Sequence, residues 1–553
     1  RAKKRQQYII DRMYQLGYIT PEQYEAARTE ELKVKTDNNE FGIHAEYVAE
    51  LARKMIYDQF KEDTYTRGLN VYTTITKADQ DAAYLALRKG VMDYEKRHGY
   101  RGPEGYMDIP AAKEEAESAI EVELADHPDS DDVITAVVLD AAPKLVHAVL
   151  ATGEEIEIKG SGLSFAASAF SDKTPPNKRI RRGAIIRVSQ EGKDWNITQM
   201  PEVESAFVAA NTEDGSIRAL VGGFDFNRSK FNHVTQAWRQ PGSSFKPFIY
   251  SASLEKGLSP ATIINDAPIS FGGGETGGQV WEPKNYDNKY DGPMTMRRGL
   301  MKSKNMISIR ILNKIGAKYG QEYATRFGFD AEKNPPYLTL ALGAGAVTPL
   351  QMAGAYAVFA NGGYKINPYL IAKVTDGSGK PLFEAKPEKA GDEANRVIDE
   401  RNAFLMDSML KDVVKHGTAT RALVLKRSDI AGKTGTTNDS FDAWFSGYNP
   451  KVVGIAWIGF DQPRNLGNRE TGGGLALPIW IGYMQKALKD LPITERQVPE
   501  GLIQAGGEYY YAENPPGSGV RSLGTGGGGG EKNNDGAPAE EEKTKDEVKN
   551  QLF

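Results

Sequence analysis

Three short strings, Ser243-Ser244-Phe245-Lys246, Ser303-Lys304-Asn305 and Lys433-Thr434-Gly435, occur once each and in this order. A fold that uses them must bring three distant stretches of chain into one pocket. S-x-x-K, S-x-N and K-T-G in sequence describe a serine acyl-transfer site in which a lysine stands in for histidine. Taken singly, the strings read as a helix start with a solvated lysine, a polar loop, and a strand ending in a turn. The ordered triple outweighs those readings.

A helix brings residues i and i+3 onto one face, so it sets the Lys246 amine beside the Ser243 hydroxyl and turns Ser244 elsewhere. Gln240-Pro241-Gly242 reads as a turn, and Phe248, Ile249, Tyr250 and Leu254 suit a buried helix, which places Ser243 at that helix's N-terminus. A serine hydroxyl needs a base to take its proton, and a lysine serves only if burial or neighbouring positive charge lowers its pKa. Lys246 is therefore the candidate base, with Lys433 supplying part of the charge. Ser303 is the candidate proton relay and Asn305 the candidate partner of a substrate amide, with Lys304 pointing away. Lys433-Thr434-Gly435-Thr436 reads as an edge strand beside the nucleophile, where Gly435 admits a substrate backbone. The N–H groups of Ser243 and Thr436 form the expected oxyanion hole. Lys433, Thr434 and Thr436 are candidates for binding a substrate carboxylate.

Arg239 to Phe248, Lys302 to Asn305 and Gly432 to Thr437 resemble the active-site boxes of class A penicillin-binding proteins. Ala341-Leu342-Gly343, Val347 to Leu350, Tyr356 to Gly363 and Asp442 to Tyr448 add to that resemblance, which runs to about residue 500. It implies D,D-transpeptidation: the serine attacks the D-Ala–D-Ala bond of a peptidoglycan stem peptide, releases D-alanine, and passes the acyl group to an amine. It also implies acylation of the same serine by β-lactam antibiotics. The implied location is the periplasmic face of the bacterial inner membrane. The chain starts at Arg1, and the resemblance implies that a membrane anchor and a glycosyltransferase domain precede it.

The rest of the sequence sets limits. With 553 residues, 40% of them hydrophobic, the chain can bury several cores. Zero cysteines exclude disulfides and thiol catalysis. A net charge of −5 gives no general reason for nucleic-acid binding, and six scattered histidines give none for a metal site. No cofactor is expected. No run of about eighteen apolar residues is present.

The expected fold class is α/β multi-domain: an antiparallel transpeptidase sheet of serine β-lactamase type flanked by helices, an OB-like barrel, and a linker. Residues 1–36 read as a helical remnant, with Thr20-Pro21-Glu22-Gln23 starting the second helix as a capping box. Lys3, Lys4 and Arg5 read as a solvated helix face. Residues 37–110 read as a linker with a strand at Leu69 to Ile75 and a helix from Lys77 to about Arg97. Residues 111–203 hold five short β-type runs after an acidic stretch, Ile120 to Asp132, and suggest an OB-like barrel. Its basic cluster, Lys178, Arg179, Arg181 and Arg182, is a candidate docking surface for an outer-membrane or periplasmic regulator. Residues 204–512 form the expected transpeptidase domain, with a hairpin at Asp214-Gly215 and a helix opened by Thr348-Pro349. Residues 513–553, including Gly526 to Gly530, are expected to be disordered. Rival readings are a β-lactamase or D,D-carboxypeptidase, which passes the acyl group to water, and a sensor that is acylated without turnover.

Overall fold

The computed structural model describes residues 2–29, 42–272 and 280–525. Two compact units divide the chain after His44. The first holds helices α1 (Ala2–Gln15) and α2 (Pro21–Thr29). The expected capping box forms: Gln23 N donates to Thr20 Oγ1 at 3.2 Å and Thr20 N donates to Gln23 Oε1 at 2.9 Å. Tyr14 stacks on Tyr24 at 4.5 Å, which fixes the pair of helices against each other. The end of this stretch at Leu32 and the side chains of Lys3, Lys4 and Arg5 lie outside the described residues.

The second unit opens with α3 (Glu46–Phe60), β1 (Asn70–Thr73) and α4 (Lys77–His98). Thr76 caps α4 through Asp79 N, and buried Ala83, Leu87, Val91 and Tyr94 lie at the three- and four-residue spacing of one helix face.

Next come β2 (Gly105–Tyr106), α5 (Lys113–Ala125), β3 (Ile134–Ala142), β4 (Leu145–Leu150), β5 (Glu155–Lys159), β6 (Ala184–Glu191) and β7 (Asp194–Thr198). They form one sheet in the order β2-β6-β3-β4-β5, with β7 also paired to β6. In β5 only Ile156 and Ile158 are buried, between exposed Glu155, Glu157 and Lys159, so alternation fixes which face packs. The acidic stretch proves partly helical: α5 buries Ile120 and Leu124 on the sheet side and leaves its glutamates in solvent. Three of the four clustered basic side chains have partners within this domain. Arg179 donates to the carbonyls of Thr174 and Asp172, Arg182 donates to Leu139 O at 2.9 Å, and the Arg181 guanidinium lies 4.3 Å from the Tyr106 ring centre.

The main remaining elements build and surround a second sheet. They are β8 (Glu204–Asn211), β9 (Ile217–Val221), α6 (Lys246–Glu255), β10 (Ile263–Asp266), β11 (Gly292–Thr295), α7 (Asn305–Ile315), α8 (Pro349–Asn361), β12 (Ile371–Thr375), β13 (Pro381–Glu384), α9 (Glu400–His416), β14 (Ala431–Thr436), β15 (Asp442–Tyr448), β16 (Val452–Gly459) and α10 (Ala476–Ala487). The order β14-β15-β16-β8-β9 is antiparallel throughout and leaves β14 at one edge. Successive side chains of a strand face opposite ways. Accordingly, the Gly447 backbone receives Trp480 of α10, while α8 packs against β8, β15 and β16 from the other face. Trp444, Trp457, Trp480, Phe207 and Tyr356 are buried in this core, each contributing about 1.5–3 kcal/mol or more of apolar burial. Thr348 closes a capping box with Gln351 and Pro349 takes the first turn of α8.

The C-terminal stretch departs from expectation. Residues 513–525 are expected to be disordered, but after β17 (Leu502–Ala505) and β18 (Glu508–Tyr511) the chain continues into β19 (Ser522–Leu523), which pairs in parallel with β10. Ile263 N of β10 donates to Arg521 O at 3.0 Å, the Asn265 side chain donates to Gly524 O at 2.9 Å, and Val520 N donates to Gly257 O at 3.0 Å, so these partners outweigh the Pro- and Gly-rich turn chemistry. Gly526 to Gly530 and the acidic tail lie outside the described residues.

Candidate active site

Ser243 sits in a 3-10 turn, Gly242–Phe245, that runs directly into α6 at Lys246. The nucleophile candidate thus precedes the helix proper, and the continuous helical backbone from Ser243 to Lys246 keeps the two residues three apart on one turn. The turn is held by its neighbours. Arg239 Nε donates to Asp442 Oδ1 at 2.6 Å, Trp444 Nε1 donates to Gln240 O at 2.8 Å, and Tyr356 Oη donates to Ser244 O at 2.6 Å. Gly242 adopts φ +53°, which a side chain resists, and a Cβ there would meet Thr436 O at 2.6 Å. A Cβ on Gly435 would lie 2.4 Å from Pro241 O and 2.5 Å from Ser244 Oγ. The K-T-G strand and the serine turn therefore touch backbone to backbone, which only glycine allows.

The three strings converge. Lys246 Nζ donates to Ser303 O at 2.7 Å and Asn305 Oδ1 at 2.8 Å, and lies 3.4 Å from Ser303 Oγ. Lys433 Nζ donates to the same Ser303 Oγ at 2.8 Å and to Thr434 O at 3.0 Å. Ser303 bridges two buried amines, and it does so at φ +58°, a conformation costing a non-glycine residue about 1–3 kcal/mol that the surroundings must impose. Asn305 opens α7 rather than lying in a loop, and its Nδ2 donates to Lys284 O at 2.8 Å. Lys304 turns to Asp266, Asp287 and Asp291, with Nζ 3.3 Å, 3.5 Å and 3.5 Å from their carboxylates.

Burial, and after it the positive charge of Lys433, hold the Lys246 pKa well below the ordinary lysine range, while Asp266 opposes them. Burial lowers Lys433 to about 7. A neutral Lys246 amine has two N–H groups, matched by its two short acceptors, and one lone pair left over to take a proton.

A cavity of about 220 Å³ opens beside these groups. Ser243, Ser303, Asn305, Thr434 and Thr436 line it. Ser244 is buried, with Oγ 3.5 Å from Lys433 O. Thr434 and Thr436 share one face of β14, where Thr434 Oγ1 lies 2.6 Å from Thr418 Oγ1 and Thr436 Oγ1 accepts from Gly472 N at 3.1 Å. Asn285, Asp287, Thr418, Asn438 and Thr471 also line the cavity. Asn285 and Asp287 lie between the first two strings, Thr418 between the second and third, and Asn438 and Thr471 beyond the third, and none carries a local pattern that marks it.

An antiparallel sheet with an edge strand against a serine turn, joined to an OB-like domain, defines a penicillin-binding transpeptidase architecture. Residues 205–464 match the penicillin binding protein transpeptidase domain and residues 100–203 the penicillin-binding protein OB-like domain. The chain is 46% identical over 515 residues to penicillin-binding protein 1A of Neisseria lactamica, covering 93% of this chain and 64% of that one. It is 39% identical to penicillin-binding protein 1A of Pseudomonas aeruginosa, covering 91% and 67%. The crystal structure of penicillin-binding protein 1A from Haemophilus influenzae superposes with a TM-score of 0.82 at 36% identity, covering 93% of this chain and 82% of that one. The chain belongs to the penicillin-binding protein 1A family. It spans about 64% of the length of the Neisseria relatives.

Proposed function

We propose that this chain is a peptidoglycan D,D-transpeptidase acting through an acyl-serine, part of a longer bifunctional glycosyltransferase and transpeptidase. Family membership supports the reaction class, and the bridging of Lys246 and Lys433 by Ser303 in the cavity lined by Ser243 carries the assignment of residues. Neutral Lys246 takes the Ser243 proton as Oγ adds to the penultimate D-alanine carbonyl, and the N–H groups of Ser243 and Thr436 receive the developing oxyanion. The C–N bond then breaks, and the proton passes from Lys246 through Ser303 to the departing D-alanine amine. An acceptor amine on a neighbouring stem attacks the ester, loses its proton to the same relay, and Ser243 Oγ–H is restored. Lys433, Thr434 and Thr436 bind the terminal carboxylate, and Gly435 lets the substrate backbone run beside β14. Asn305 acts first on Lys246, through its carbonyl oxygen.

The same geometry supports acylation by β-lactams. A periplasmic site of action, with a membrane anchor and glycosyltransferase domain in a longer protein, is part of the same proposal. A regulator docking on the OB-like domain belongs to this reading too, with Lys178 the member of the basic cluster outside the contacts described above. The test is fluorescent penicillin labelling: Ser243→Ala is expected to abolish it and Ser244→Ala to reduce it less. Full labelling of the Ser243→Ala protein contradicts the assignment.

A further inference from the structure

Behind Asn305 lies a chain of buried amides and carboxylates that no active-site box contains. Asn305 N, the first N–H of α7, donates to Asn285 Oδ1 at 2.8 Å. No side chain of Lys304, the residue before the helix, caps that end, so the capping acceptor comes from a residue 20 positions upstream. Asn285 is 3% exposed, and its Nδ2 is itself anchored, donating to Asp266 Oδ1 at 2.7 Å and Lys289 O at 2.7 Å. Asp266 is fully buried at the end of β10. Its other oxygen accepts from Asp291 N at 2.9 Å and pairs with Lys304 at 3.3 Å. Every donor and acceptor of the Asn285 amide is thus used. Beyond Asn305, the network ends on the Lys246 amine.

We propose that Asn285, seated on the buried carboxylate of Asp266, is a positioning residue for acyl transfer: it fixes the start of α7 so that the Asn305 carbonyl oxygen aims Lys246 at the serine. The proposal rests on the reading of Ser243 and Lys246 as nucleophile and base. Without Asn285 the Asn305 N–H would be buried and unpaired, and so would one oxygen of Asp266, so both groups would shift to find partners. The strained Ser303 lies two residues before Asn305 and would relax with them. A shift of about 1 Å in a catalytic group lowers rates by about 10²-fold.

The charged groups facing Lys246 are Lys433 from β14 and Asp266 from β10. This gives the network a signature that a purely structural role lacks. Asp266→Asn removes the one negative charge favouring the Lys246 ammonium, so the acid limb of the acylation pH profile moves to lower pH. The experiment measures the second-order rate of benzylpenicillin acylation from pH 5 to 9, with melting temperature recorded alongside, for the wild-type chain and for Asn285→Ala, Asn285→Asp and Asp266→Asn. Expected are a loss of at least tenfold in Asn285→Ala, a comparable loss in Asn285→Asp, which keeps an oxygen for Asn305 N but sets a second carboxylate against Asp266, and the shifted limb in Asp266→Asn. Wild-type rates and profiles in folded variants overturn the proposal, as does a loss that follows the melting temperature while the Asp266→Asn profile stays fixed. A wild-type chain that takes no penicillin, or takes it on another residue, overturns the acyl-transfer reading beneath it, a result the variants alone cannot produce.

Discussion

Replacing Gly435 by alanine tests whether the K-T-G strand sets the position of the nucleophile. The new Cβ would stand 2.4 Å from Pro241 O and 2.5 Å from Ser244 Oγ. The hydroxyl can rotate away, but the carbonyl belongs to the turn that carries Ser243. An ordinary carbon–oxygen contact is about 3.3 Å, so strand and turn must separate by about 0.9 Å. Overpacking of this kind costs about 1–3 kcal/mol, which lowers the melting temperature by several degrees in a domain of this size. The larger effect falls on chemistry: displacing a catalytic group by about 1 Å lowers the rate about 10²-fold. Stopped-flow or gel-based acylation by a fluorescent penicillin, read beside thermal melting, measures both. A Gly435→Ala protein that melts a few degrees lower yet is acylated at the wild-type rate would refute the reasoning.

Two further outcomes follow from the same contacts. Lys433 titrates near 7 in the fold and near the ordinary lysine value when unfolded, so between about pH 7 and 10 the unfolded chain holds the extra proton and stability rises with pH. Below about 7 both states are charged and the slope vanishes. Urea denaturation from pH 6 to 9.5 should show a steeper rise in wild type than in Lys433→Met, which keeps only the share due to Lys246; equal slopes contradict it. Charge reversal at Arg181 and Arg182 should leave penicillin acylation unchanged, because both belong to the OB-like domain, and a direct loss of rate would count against that separation.

Much of the fold was legible where local chemistry is strong. Thr20 with Gln23 and Thr348-Pro349 before α8 are caps that the sequence announces, and Asp214-Gly215 marks the hairpin between β8 and β9. Helix α5 was not legible, because only Ile120 and Leu124 of its thirteen residues are buried and its glutamates read as an acidic run. Strand β19 was equally hidden: two residues in a glycine-rich stretch become a strand only because the edge of β10 supplies partners. At the candidate site, the meeting of Lys246, Ser303, Asn305 and Lys433 beside the cavity that Ser243 lines was legible because each candidate shares a short string with another. Asn285, Asp266 and Thr418 act across long separations in the chain, through hydrogen bonds no local spacing encodes. Ser303's positive φ was also unreadable, since tertiary contacts impose it against the residue's own preference.

The most direct test of the central claim is peptide mapping by mass spectrometry after brief exposure to benzylpenicillin. The account expects one adduct per chain, on the peptide containing Ser243, with fragmentation placing it on Ser243 and not on Ser244. An adduct on Ser244 or Ser303, or none in folded protein, would contradict the convergence of a buried amine and an alcohol on which the proposed chemistry depends.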